Sequence, residues 1–258
     1  MKKYQNIKDK SLSFLGIFLF LVLWQMAYEF KWVVPILLPG PIQVVEAFFK
    51  DINLLLFHAK TSLIEAFLGL TIGASLGFLL ALLMDYFETL RKMLYPLIIV
   101  SQTIPTIAIA PLLVLWFGYD MTPKIILIVI VSFFPIAIGV LDGFKAVDMD
   151  MIKLLQSMGA NDFQILKHAK IPNAIGPFFT SLKISASYSI VGAVIAEWLG
   201  GNSGLGVYIT RVRKSYSFDK MFAVILFISL LSLLLMKIVD LGQVFATPWK
   251  NRRKKEEK

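Results

Sequence analysis

Apolar residues along the chain gather into long runs almost free of charge, and polar residues cluster between them. A helix needs roughly 20 apolar residues to cross about 30 Å of hydrocarbon. Runs of that order predict spans at about residues 11–30, 61–84, 93–117, 124–141 and 221–245. The last contains Lys237, whose stem can snorkel and let the helix continue. A sixth span at about 177–199 requires one helix to carry both Lys183 and Glu197, and is the weakest on hydropathy.

Charge decides between five spans and six. With six, both termini share one side, and that side holds 17 of the 26 Lys and Arg, including the tail from Lys250 to Lys258. With five, the basic tail leaves the side of the basic N-terminus, against the positive-inside rule. The pattern therefore predicts an all-α membrane protein, one domain over 1–258, with both termini cytoplasmic. The first apolar run exceeds a signal-peptide core, and Glu29-Phe30-Lys31-Trp32 offers no small-residue cleavage site. Tyr28, Trp24 and Trp32 fit an interfacial aromatic belt.

Three segments between or within the spans carry further structure. Prolines 35, 39 and 41 exclude helix over 34–41, and 42–49 reads as an interfacial helix with Val44, Val45, Phe48 and Phe49 on one face. The third span contains Pro96, Pro105 and Pro111. Two readings stand: a helix facing protein or a pathway, or a kinked packing helix. In the loop after the fourth span, Met151, Leu154, Leu155 and Met158 recur at i, i+3, i+4 and i+7, which is one face of a short helix. Gly159 fits its C-terminus, Asn161 with Gln164 fits the cap of a second helix, and Pro172 is expected to end that one. Apolar side chains so presented, Phe163 among them, mark a partner site or a helix lying on the membrane face.

Composition narrows the chemistry. The chain is 57% hydrophobic and 17% charged, with a mean hydropathy of +0.74. No cysteine is present, so disulfides, thiolate nucleophiles and Cys metal sites are excluded. Only His58 and His168 exist, which excludes a histidine metal cluster, and no cofactor is expected. The net charge of +9 belongs to cytoplasmic loops and anionic lipid, not to nucleic acid. No P-loop sequence and no nucleophile–base pair occur, so an enzyme is not expected and energy must come from a partner. A secondary transporter, the alternative, normally shows inverted repeats and ionisable residues in discontinuous helices.

Gly159 and Pro172, with twelve residues between them and Ala160 and Ile171 beside them, resemble the EAA loop of bacterial ABC-importer permeases. That loop reads Glu-Ala-Ala-x3-Gly-x9-Ile-x-Leu-Pro. Lys153, Leu154 and Leu155 stand where Glu-Ala-Ala is expected, Ala169 replaces the isoleucine and Ile171 the leucine. The stretch Val191-Gly192-Ala193-Val194-Ile195-Ala196-Glu197-Trp198-Leu199-Gly200, then Ser203-Gly204-Leu205-Gly206, resembles the nitrate/sulfonate/taurine permease subfamily. Leu37-Leu38-Pro39-Gly40-Pro41 and the run from Ser101 to Leu112 resemble it too.

This resemblance implies a type I ABC importer fold and alternating access in the bacterial cell membrane. It implies two ATP-binding subunits docking on two permease copies, and an extracytoplasmic substrate-binding protein delivering solute. Leu154, Leu155, Met158, Gly159, Ala160, Phe163 and Pro172 are the expected ATPase-coupling residues. Glu197, the one acid read near a span, is a gate candidate through the Gly200–Gly206 backbone, or an interfacial residue. Trp198, Ser185, Tyr188, Ser189, Trp116 and Pro105 are pathway candidates. With Lys183 and Lys237 as the only bases read inside the spans, an uncharged aromatic solute is favoured. A thiamine-pyrimidine-type heterocycle is expected, with an alkanesulfonate, taurine or nitrate as alternative.

Overall fold

The computed structural model describes residues 2–247, without the side chains of residues 2–11 and 13. Those residues form eleven α-helices and no strand: α1 (Lys2–Glu29), α2 (Pro41–Lys50), α3 (Ile52–Tyr86), α4 (Glu88–Ser101), α5 (Thr106–Phe117), α6 (Met121–Lys145), α7 (Met149–Ser157), α8 (Asp162–Ile165), α9 (Ile171–Trp198), α10 (Leu205–Lys214) and α11 (Phe218–Ala246). The basic cluster at 250–258, used above to orient the chain, lies outside the described residues.

Four helical stretches are long and apolar enough to cross a membrane: Ile52–Tyr86, Met121–Lys145, Asp162–Trp198 and Phe218–Ala246. The helix through Lys183 and Glu197, weakest on hydropathy, is among them; Lys183 pairs with Asp240 of α11 and Glu197 is buried. Phe14–Glu29 within α1 is a shorter apolar helix. Its Phe14, Phe18 and Phe20 are exposed, as suits a surface solvated by lipid.

The predicted third span is not one rod. α4 and α5 meet at 100° across residues 102–105, where Pro105 lacks the donor that would continue the helix. Pro96 and Pro111 sit inside α4 and α5 without ending them. The second loop helix also departs from expectation, since Pro172 does not end it. Leu166–Lys170 forms a π-helical turn in which the Ile171 N–H donates to the Leu166 carbonyl, and the chain runs on into α9 with Pro172 in its first turn. One extra residue in the turn absorbs the donor proline lacks.

Small residues bring the three central helices together. Gly69, Gly73 and Gly77 line one face of α3 against α6, and a Cβ on Gly69 would sit 2.5 Å from the Ile128 side chain. Gly139 and Gly143 of α6 meet Ser181 and Ala174 of α9 in the same way. With lipid as solvent, such backbone approach and its van der Waals contact hold helices together. α2 lies against α11 with Val44 and Ala47 buried, while Val45 and Phe49, expected on the same face, point outward.

Candidate functional site

The loop between α6 and α9 builds one exposed apolar surface. Asp148 caps α7 by accepting from the Asp150 N–H at 2.9 Å. At the other end Gly159 takes φ +83°, and the Gly159 and Ala160 N–H groups donate to the Gln156 and Leu155 carbonyls. That is a Schellman closure, which any side chain at Gly159 would strain. Asn161 and Gln164 exchange side chain-to-backbone bonds of 2.9 and 2.8 Å, the capping box read from sequence.

Met151, Leu154, Met158 and Phe163 project from this frame, Met158 at 76% and Phe163 at 69% exposure, and Met149 joins them. Leu155 and Ala160 do not. They pack with Ile152 onto Val147, Ile165 and Ala169 and hold the two short helices together. Pro172 lies exposed on α9, beyond the short helices. Lys170 ties the loop to the end of α3 through Asp85 at 2.8 Å.

At the opposite end of the bundle lies a buried polar cluster. His58, Ser62 and Glu65 recur at i, i+4 and i+7 on the protein-facing side of α3, all at most 1% exposed. They converge with Glu197 of α9 on the N-terminus of α10, whose first N–H groups have no helical partner. The Gly204 N–H donates to His58 Nδ1 at 3.0 Å, Leu205 to Ser62 Oγ at 2.9 Å and Gly206 to Glu197 Oε2 at 2.6 Å. Ser62 in turn donates to Glu197 Oε1 at 2.6 Å. Lys124 of α6 donates to Glu65 Oε1 at 2.9 Å, and Glu65 lies beside Glu197. Carboxylate and helix N-terminus attract each other electrostatically.

Glycine is required where the chain turns into α10. Gly204 has φ +126°, and a Cβ there would overlap the Glu197 carboxyl. A second tether holds α10 from outside the spans. Asp51 accepts from the Tyr208 hydroxyl at 2.7 Å and pairs with Lys220 at 2.7 Å. Burial works to raise the Asp51 pKa, but Lys220 and Tyr208 outweigh it and hold the carboxyl below its ordinary 3.8. The tether is therefore intact at neutral pH and is lost only as pH falls through that lowered value.

The structure separates the remaining candidates. Ser185 and Ser189 are fully buried against α6 and do not line an open path; Ser185 Oγ donates to the Ser132 carbonyl. Tyr188 lies on the other face of α9 with Ile184 and Val191, half exposed, opposite the α4–α5 break that contains Pro105. Trp198 is partly exposed beside Glu197, and Trp116 is exposed near the end of α5. His58, Ser62, Glu65 and Lys124 were not singled out from sequence. The signal for the first three was the polar stripe on one face of the apolar α3, and Glu65 corrects the reading of Glu197 as the one acid near a span.

A family model described as binding-protein-dependent transport system inner membrane component matches residues 69–249. The chain is 34% identical over 254 residues to the formylaminopyrimidine transport permease protein ThiX of Halalkalibacterium halodurans, covering 98% of this chain and 100% of that protein. It is 30% identical to the taurine transport system permease protein TauC of Escherichia coli, covering 94% of this chain and 90% of that one. It is 29% identical to a putative aliphatic sulfonates transport permease protein of Bacillus subtilis, covering 90% and 84%. Among solved structures, an amino acid ABC transporter superposes with a TM-score of 0.63 at 20% identity, over 76% of this chain and 95% of that one. An alginate-importing bacterial ABC transporter gives 0.61 at 17% identity, over 94% and 98%.

Proposed function

The chain belongs to the family of binding-protein-dependent transport system inner membrane components, and on that premise we propose that it passes a thiamine-pyrimidine-type heterocycle inward. It is the permease subunit of an ABC importer, a transport component and not an enzyme, working with an ATP-binding subunit and a substrate-binding protein. The observation that carries the pyrimidine reading is the 34% identity, over 98% of this chain, to a formylaminopyrimidine permease. The taurine and sulfonate relatives favour a second reading, an alkanesulfonate or taurine. Purifying the cognate binding protein with its ligand decides between them. A pyrimidine in its cleft is expected, and a sulfonate held by Arg or Lys overturns the pyrimidine reading.

In this proposal two permease copies meet two ATP-binding subunits. Met151, Leu154, Met158 and Phe163 fill a groove on each ATP-binding subunit, so that closure on ATP pushes the loop and drives alternating access. Glu197 closes the outer end by holding the Gly200–Gly206 loop and α10 in place. Both termini and the α7–α8 loop lie in the cytoplasm, with α10 outside. Because the chain has no cysteine, single cysteines at the exposed Asn202 and Lys153 report sidedness cleanly. An impermeant thiol reagent applied to intact cells is expected to label Asn202→Cys and spare Lys153→Cys. The reverse pattern overturns the orientation.

A further inference from the structure

The break between α4 and α5 opens a cavity of about 290 Å³ against α6 and α9. That volume is near the lower end of small-molecule sites, roughly 300 Å³. Its wall carries Ser101, Gln102 and Thr106 from the break, Phe134 and Pro135 from α6, and Tyr188 from α9, with isoleucine and valine filling the rest. Among the described residues no charged side chain and no histidine lines it.

Several of its polar groups are uncommitted. The Ser101 hydroxyl donates to the Ile98 carbonyl at 2.6 Å and keeps its lone pairs. The Gln102 amide, the Thr106 hydroxyl and the Tyr188 hydroxyl have no hydrogen-bond partner among the described residues. Irregular backbone at membrane depth is tolerated where it is buried in protein or lines a cavity. Here Gln102 and Ile104 of the unwound stretch do line one, and the unpartnered polar groups beside them face a ligand or water.

We infer that this cavity is the permease's own solute site, taking a flat, uncharged heteroaromatic with hydrogen-bonding edges. The inference rests on the pyrimidine reading above and adds where the solute sits and what holds it. The Tyr188 and Phe134 rings supply a stacking surface, with centroid separations of about 4.5–7 Å typical of such pairs. The Gln102 amide offers a donor and an acceptor side by side, the pattern a ring nitrogen with a neighbouring amino group matches. A sulfonate or nitrate finds no cation among the residues that line the cavity, and an anion that gives up water there without one is disfavoured.

The test uses the purified permease with its ATP-binding subunit in nanodiscs, without binding protein, and radiolabelled formylaminopyrimidine as probe. Saturable binding is expected. Gln102→Leu and Tyr188→Leu are expected to weaken it at least tenfold, while Tyr188→Phe, which keeps the ring, stays within threefold of wild type. In proteoliposomes with loaded binding protein, the same two leucine variants are expected to move at least fivefold less solute per ATP, with ATPase stimulation within twofold of wild type. Thr106→Val replaces either variant that loses that stimulation. Import of formylaminopyrimidine by the wild type, with no binding to the nanodisc complex or with wild-type binding and coupling in the variants, overturns the site and leaves the substrate reading standing. Failure of the wild type to import it, with import of ethanesulfonate, overturns the substrate reading and this site together.

Discussion

Gly206→Val is expected to abolish import and to cut the yield of folded protein severely. A side chain at Gly206 would run into the Val194 carbonyl and stand 2.8 Å from Glu197 Cβ. The obstacle is backbone, which cannot swing aside as a flexible side chain does. α10 must then leave α9, and the bonds from Gly204, Leu205 and Gly206 to His58, Ser62 and Glu197 open together. A buried polar group left unpaired costs about 1–3 kcal/mol, and more when charged. Three such losses are comparable to the whole stability of a typical domain, about 5–15 kcal/mol. Gly192→Ala on α9 is the control, since its Cβ would meet Ile128 Cγ1 at 3.5 Å, an ordinary contact. Uptake assays and thermal unfolding in detergent check both variants. Wild-type uptake by Gly206→Val would show that the seating of α10 on α9 does not matter.

The second large effect is expected from Leu154→Asp combined with Met158→Asp. Both side chains are exposed, at 61% and 76%, so charging them leaves the fold intact. At a partner interface the same change buries two unpaired carboxylates where apolar contact is needed. Central interface residues are worth about 2 kcal/mol or more each, so affinity for the ATP-binding subunit should fall by roughly 10³-fold. Leu155→Asp is expected to act differently, because Leu155 packs with Ile152 and Ala160 inside the loop. It should disorder α7 as well as release the partner. Copurification together with proteolysis of the loop distinguishes the two outcomes, and retention of the partner by the double aspartate variant would remove α7 from the interface.

What sequence reading reached and missed follows from the range of each interaction. The α7–α8 loop was legible because its signals are local: Gly159 closes one helix, and Asn161 with Gln164 opens the next within four residues. Hydropathy found most spans for a similar reason, since lipid reads each helix separately. Pro96, Pro105 and Pro111 predict a kinked or pathway-facing third span but not the 100° break at residues 102–105, which depends on how α5 packs on α6 and α9. The outer cluster was hidden because its bonds join residues far apart, with Lys124 and Glu65 separated by 59 positions and Ser62 and Glu197 by 135. Ser185 and Ser189 lie buried because, four residues apart with Gly192 three further on, they share the face that α6 covers. Tyr188 lies on the opposite face. Helical phase was readable in α9, but which face met protein was not.

The central claim is that this permease moves solute only when an ATP-binding subunit acts on it through the α7–α8 loop. The most direct test is solute uptake into proteoliposomes that contain the permease and its ATP-binding subunit, with loaded binding protein outside and ATP enclosed. Accumulation is expected to require both ATP and the binding protein, and to vanish in the Leu154→Asp, Met158→Asp variant. Uptake that follows an ion gradient without ATP, or that survives removal of the ATP-binding subunit, would contradict the account.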